Sequence, residues 1–85
     1  LMDKAPEEPS VEQLIKICED CEGVEHAYAR ARRIGSVVFV DVKIDIDPQI
    51  TVQQGHDIAD KVKKRLMSSF SNVADVMVHV NPHRD

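Results

Sequence analysis

The sequence predicts a small α+β domain: a two-layer sandwich with two helices on one face of a three-stranded sheet, in the order helix, strand, strand, helix, strand. Three observations carry this expectation. Two segments, opening at Ser10 and Thr51, repeat apolar residues at helical spacing behind a capping signal. Three further segments alternate apolar and polar residues with the period of two that half-buried strands show. The chain has 85 residues, enough for one domain around one core. Each strand then has one apolar face, and two amphipathic helices cover it together.

Residues 1–9 read as a linker, because Pro6, Pro9 and three acidic residues give no face to bury. The domain proper is expected over 10–85. Ser10 opens the first helix with Gln13 as its capping-box partner, and Val11, Leu14, Ile15, Cys18 and Cys21 form one apolar stripe. Gly23 is expected to end it in a left-handed conformation. Over 24–33, Ala27, Ala29 and Ala31 alternate with His26, Tyr28, Arg30 and Arg32, and Ile34-Gly35-Ser36 supplies a turn. Over 37–47, Val38, Val40, Val42, Ile44 and Ile46 point one way, and Phe39, Asp41, Lys43, Asp45 and Asp47 the other. Pro48 stops that strand.

Thr51 and Gln54 form a second capping box. The helix they open is expected to run to about Phe70, with Val52, Gly55, Ala59, Val62, Leu66 and Phe70 facing inward. The last strand, 74–81, sets Ala74, Val76, Val78 and Val80 against Asp75, Met77, His79 and Asn81, and Pro82 closes it. This order is that of a ferredoxin-like fold without its first strand. The opposite sheet face stays open. On so short a chain an open three-stranded sheet is expected to find a second copy, so a homodimer is expected.

Composition narrows the function. The chain is 42% hydrophobic and 31% charged with a net charge of −4, a soluble globular balance that argues against nucleic-acid binding. Aromatic residues at 4% also remove the stacking platforms of single-strand binders. The longest apolar run, Val37-Val38-Phe39-Val40, is far shorter than the roughly 20 residues that span a bilayer, and no secretory leader is visible. Two cysteines make no disulfide framework, so a reducing compartment is expected.

Strand alternation puts His26, Tyr28, Asp41 and His79 on the open face. His56 falls in the first turn of the second helix, near the rim of the sheet, and His79 and His83 flank Pro82. Imidazole with carboxylate is a donor set that zinc and other first-row divalent metals take. The plain alternative is four surface histidines on an acidic protein. Cys18 and Cys21 make one C-x-x-C, but both lie late in the helix on its inward stripe, which reads as two core thiols. A free metal carrier using this pair is a third reading. Lys61, Lys63, Lys64 and Arg65 read as a solvated helix face, with Asp57 and Asp60 nearby. No spacing resembles a catalytic site or a phosphate loop, so an enzyme is not expected.

A further pattern lies in Asp47-Pro48, in Thr51-Val52-x-x-Gly55-His56-x-Ile58-Ala59, and in Asn72-Val73-Ala74-Asp75-Val76-x-Val78-His79-Val80-x-Pro82. With Leu1-Met2-Asp3 and Pro6, Val24, Arg30, Arg32 and Phe39-Val40-Asp41-Val42, this ordered set resembles the C-terminal cytoplasmic domain of the cation diffusion facilitator family. Those proteins are proton-coupled exporters of zinc and similar divalent cations. The resemblance implies a metallochaperone-like αββαβ domain that dimerises beneath a membrane transport domain of the same polypeptide, on the cytoplasmic side of the membrane. It also implies a regulatory role, in which metal at or near the dimer interface draws two copies together. It carries ligand positions over to His56, His79 and Asp41, and puts His83 where some members have an acidic ligand. Lys43 and Asn81 depart from the pattern at positions that are ligands in some members. Zinc is the expected ion. The rival reading is a purely structural dimerisation module.

Overall fold

The computed structural model describes residues 8–84; most of the expected linker, including Leu1-Met2-Asp3 and Pro6, lies outside them. The elements follow in the expected order: α1 Val11–Asp20, β1 His26–Ile34, β2 Val37–Ile46, α2 Val52–Ser69 and β3 Val73–Pro82. Both capping boxes form. The Gln13 backbone N–H donates to Ser10 Oγ at 3.1 Å and the Ser10 N–H to Gln13 Oε1 at 2.7 Å. Thr51 and Gln54 repeat the exchange at 3.0 and 2.9 Å. Each box satisfies one of the orphan N–H groups of the first turn and anchors the residue before it.

The sheet order is β1-β2-β3, with β2 central. β1 and β2 pair antiparallel from His26↔Asp45 to Ile34↔Val37, leaving a two-residue turn, Gly35-Ser36. Gly35 has φ +61° and Ser36 a negative φ, the pattern of the type II′ turn that matches strand twist. β2 and β3 pair parallel, which requires a crossover, and α2 is that crossover. α1 packs on β1 and α2 on β3. Between helices and sheet lies one core, in which Leu14, Cys18, Val40, Val42, Ile44, Val62, Leu66 and Val76 are all buried.

Four expectations need correction. First, α1 ends at Asp20, before Gly23: Cys21 takes an extended conformation and its N–H donates to the Cys18 carbonyl at 3.1 Å. Gly23, at φ +94°, instead makes the turn into β1, where an added Cβ would lie 2.6 Å from Ile58 Cδ1. Second, Val73 and not Ala74 is the inward residue at the start of β3. Val38 pairs with Val73 but Phe39 with Asp75, so Ala74 is an extra residue, and the alternation changes phase there. Third, Val52, the first residue of α2, is 92% exposed, and the buried face of that helix starts at Gly55. Fourth, the packed domain starts before residue 10. Pro9 is buried, its carbonyl accepts from Arg33 Nη2 at 2.7 Å, and the Glu8 carbonyl accepts from Asn72 Nδ2 at 2.9 Å.

The two cysteines are core residues, as the stripe implied, and both are free. Burial pushes the Cys18 thiol up to about 12, with neighbouring Cys21 and Glu19 adding to the effect. Burial also raises Cys21. A protonated thiol is a poor nucleophile and a poor metal ligand, which weighs against a thiol-based carrier. Among the described residues no helix is long and apolar enough to cross a membrane.

Candidate metal centre on the open face

The register of β2 with both neighbours lays the open face out in rows. Arg30, Asp41 and Met77 form one row; Tyr28, Lys43 and His79 form the next; His26, Asp45 and Asn81 form the third. The first two rows, with Arg32, line one shallow groove. Strand alternation is the local cause: on the same strands the odd-one-out residues Ala29, Val40 and Val78 face the helices, so polar side chains are left to the groove.

The structure brings together two of the four sequence-predicted ligands, Asp41 and His79. They stand on adjacent strands one diagonal apart, since Asp41 pairs with Met77 and His79 with Lys43. Both line the groove. His56 lies elsewhere. It projects from α2 into a groove between that helix and the edge of β3, with Asp60, Lys63 and Asp75. His83 follows the end of β3, where its backbone N–H donates to the Ile46 carbonyl at 2.7 Å. Its Nδ1 is 4.0 Å from Asp45 Oδ2, a second imidazole–carboxylate pair. Among the described residues no three His, Cys, Asp or Glu side chains of one chain converge closely enough to hold a metal ion.

The groove also holds cations. Arg30 Nη2 lies 3.1 Å from Asp41 Oδ2. Lys43 Nζ sits 4.8 Å from the centre of the Tyr28 ring, and Arg32 lies 5.8 Å from that of Phe39. His26 meets Tyr28 edge-on, with 4.6 Å between ring centres, and its Nδ1 is 3.3 Å from Glu19 Oε2, which also accepts from the Ala27 N–H. Sequence reasoning placed Arg30 on this face but not on Asp41; the signal was the length of the turn, because a two-residue loop at Gly35-Ser36 dictates the pairing of residue 30 with residue 41. Asp45 as the neighbour of His83 was missed, since nothing in the spacing tells that the chain after Pro82 stays beside β2. The basic run on α2 is a solvated face: Lys64 pairs with Asp60 at 2.8 Å and Lys63 with Asp75 at 3.5 Å.

Chemically, the groove presents one imidazole and one carboxylate as a pair of donors per chain. That pair fits a first-row divalent cation in donor type and falls short of one in number, since such ions take four or more ligands.

Residues 6–83 match the family described as cation efflux protein, cytoplasmic domain. The manganese efflux system protein MneP of Bacillus subtilis (strain 168) is 33% identical over 84 residues, 98% of this chain and 28% of that protein. Metal tolerance protein C1 of Arabidopsis thaliana is 29% identical over 83 residues, 96% of this chain and 18% of that protein. The chain thus spans less than a third of the length of the curated relatives it matches. Among solved structures, a variant of the MamM CTD superposes with a TM-score of 0.82 at 23% identity, covering 86% of this chain and 90% of that one. A manganese form of another variant gives 0.80 at 25% identity, covering 85% and 92%. The expected αββαβ fold is therefore shared with a known class of domain. The chain belongs to the cytoplasmic-domain family of cation efflux proteins.

Proposed function

We propose that the chain is the regulatory cytosolic domain of a proton-coupled divalent-cation exporter, in which metal joins two copies and so favours transport. The observation that carries this reading is the half-site on the open face. Asp41 and His79 share a groove, and among the described residues no third donor of the same chain joins them; a second copy facing the first would supply the missing pair. A metal that binds only the closed pair stabilises it by mass action and shifts the population toward closure. The covering of an open sheet face supports the same homodimer. His56 on the rim and His83 beside Asp45 are the donors proposed for the margins of that interface. Zinc is the ion proposed, because among the divalent metals that imidazole and carboxylate hold it binds well ahead of manganese. The relative MneP is named for manganese and MamM CTD forms carry cadmium, nickel and manganese, so zinc and manganese are titrated side by side.

The test is calorimetric titration of chelator-stripped protein, with sedimentation of the same samples. Saturable zinc binding at one to two ions per protomer, lost with His79→Ala and accompanied by dimer formation or compaction, is the expected result. A tighter manganese isotherm reassigns the ion. Absence of binding at micromolar metal overturns the sensor reading. A second reading, a structural dimerisation module, draws on the cations in the groove, above all Arg30 on Asp41 and Lys43 beside His79. Its sign is a dimer indifferent to chelator and to zinc.

A further inference from the structure

We propose that Arg30 is a resident counter-cation that metal must displace from Asp41, so that Arg30 sets the metal concentration at which the site fills. The inference rests on the metal-binding reading of the groove and concerns its threshold. Asp41, the one carboxylate among the described residues lining the groove, is engaged through Oδ2 by the Arg30 guanidinium at 3.1 Å. Asp41 is only about a quarter exposed, whereas the Arg30 side chain is about three-quarters exposed. The carboxylate is therefore fixed by the sheet, and the guanidinium is the partner free to swing into water. An exposed ion pair of this kind is weak, and a divalent cation outcompetes it on charge alone.

The register explains why the device sits here. Arg30 is the direct cross-strand partner of Asp41, and cross-strand partners touch without strain or rearrangement. Arg32, one pleat further along β1, faces the Phe39 ring instead and leaves Asp41 alone. The two arginines are thus an internal control: the same charge on the same strand face, with only one touching the ligand. Removing Arg30 both frees the carboxylate and takes a positive charge from within a few ångströms of the ion, worth about a ten-fold gain in affinity at moderate salt. Removing Arg32 acts through screened distance only, about two-fold.

The experiment titrates zinc into chelator-stripped wild type, Arg30→Gln, Arg30→Lys, Arg32→Gln and His79→Ala, with chelator-treated melting curves as a check on folding. Expected are about ten-fold tighter binding for Arg30→Gln, about two-fold for Arg32→Gln, little change for Arg30→Lys, and loss for His79→Ala. Wild type that binds zinc with His79-dependence, but with Arg30→Gln no tighter than Arg32→Gln, overturns the Arg30 inference and leaves the sensor reading standing. Absence of binding in wild type and in Arg30→Gln alike overturns both. Binding that appears only in Arg30→Gln upholds Arg30 as the cation that keeps metal off Asp41 and overturns the sensor reading for the wild type at micromolar zinc.

Discussion

The two faces of one sheet divide the labour of this molecule. On the helix-covered face β2 places Val38, Val40, Val42, Ile44 and Ile46, all buried, against Leu14, Cys18, Val62 and Leu66. On the other face the same strand places Phe39, Asp41, Lys43 and Asp45, each with at least one cross-strand partner that is charged, aromatic or imidazole-bearing. The backbone is shared, so each residue of β2 serves either stability or recognition according to its parity. Stability is concentrated on one face, which leaves the other free to hold charged groups at little cost to folding.

That contrast is open to direct attack. The largest effect is expected inside. Ile44 is fully buried on the central strand, and Ile44→Ala should cost about 2–5 kcal/mol of stability in urea unfolding, from lost burial and the cavity left behind. A loss under about 1 kcal/mol would mean that the core does not reside on that face.

The next effect is electrostatic and also belongs to the covered face. Because the Cys18 thiol is held up to about 12 in the fold, while an exposed thiol titrates near 9, the folded state keeps a proton that the unfolded chain gives up. Stability should therefore be fully present below about pH 9 and decline above it, by roughly 1 kcal/mol per pH unit toward pH 12. Urea midpoints at pH 8, 9 and 10 measure that slope. Cys18→Ala, although less stable at every pH, should flatten it; an unchanged slope assigns the decline to other groups.

The smallest effect is expected on the open face. Met77 is 56% exposed in the groove, and Met77→Ser should shift stability by no more than about 0.5 kcal/mol under chelating conditions. A shift as large as that of Ile44→Ala would show that this face is already buried, against a second copy, without any metal. The same melt run at two protein concentrations separates that case.

How much of this was legible in advance depends on the range of the interaction involved. Capping boxes span three residues, and both were readable at Ser10 and Thr51 because the partners lie within one turn. The inward row of β2 was equally readable, since alternation is a property of the strand itself. Ala74 misled because one extra residue reverses parity, and whether a ladder absorbs a bulge is decided by the strand opposite. Val52 misled for a related reason: helical spacing tells which side a residue faces but not at which turn packing begins. Pro9 reads as linker because what holds it and Glu8 comes from far along the chain: Arg33, 24 positions from Pro9, and Asn72, 64 positions from Glu8.

The candidate site divides along the same line. Residue type and period two were enough to put Asp41 and His79 on one face, and resemblance brought His56 and His83 into the same set. By itself, then, the sequence determined the elements, their caps, the buried row of β2 and the chemical character of the open face, because these follow from contacts within a turn or along a strand. Only the tertiary structure decided that Asp41 and His79 share a groove while His56 lies around the edge of β3, and that His83 stands beside Asp45. Those outcomes depend on the register of β3 against β2 and the lie of a crossover helix, and the register of a parallel pair is set by packing across the sheet rather than by a local turn.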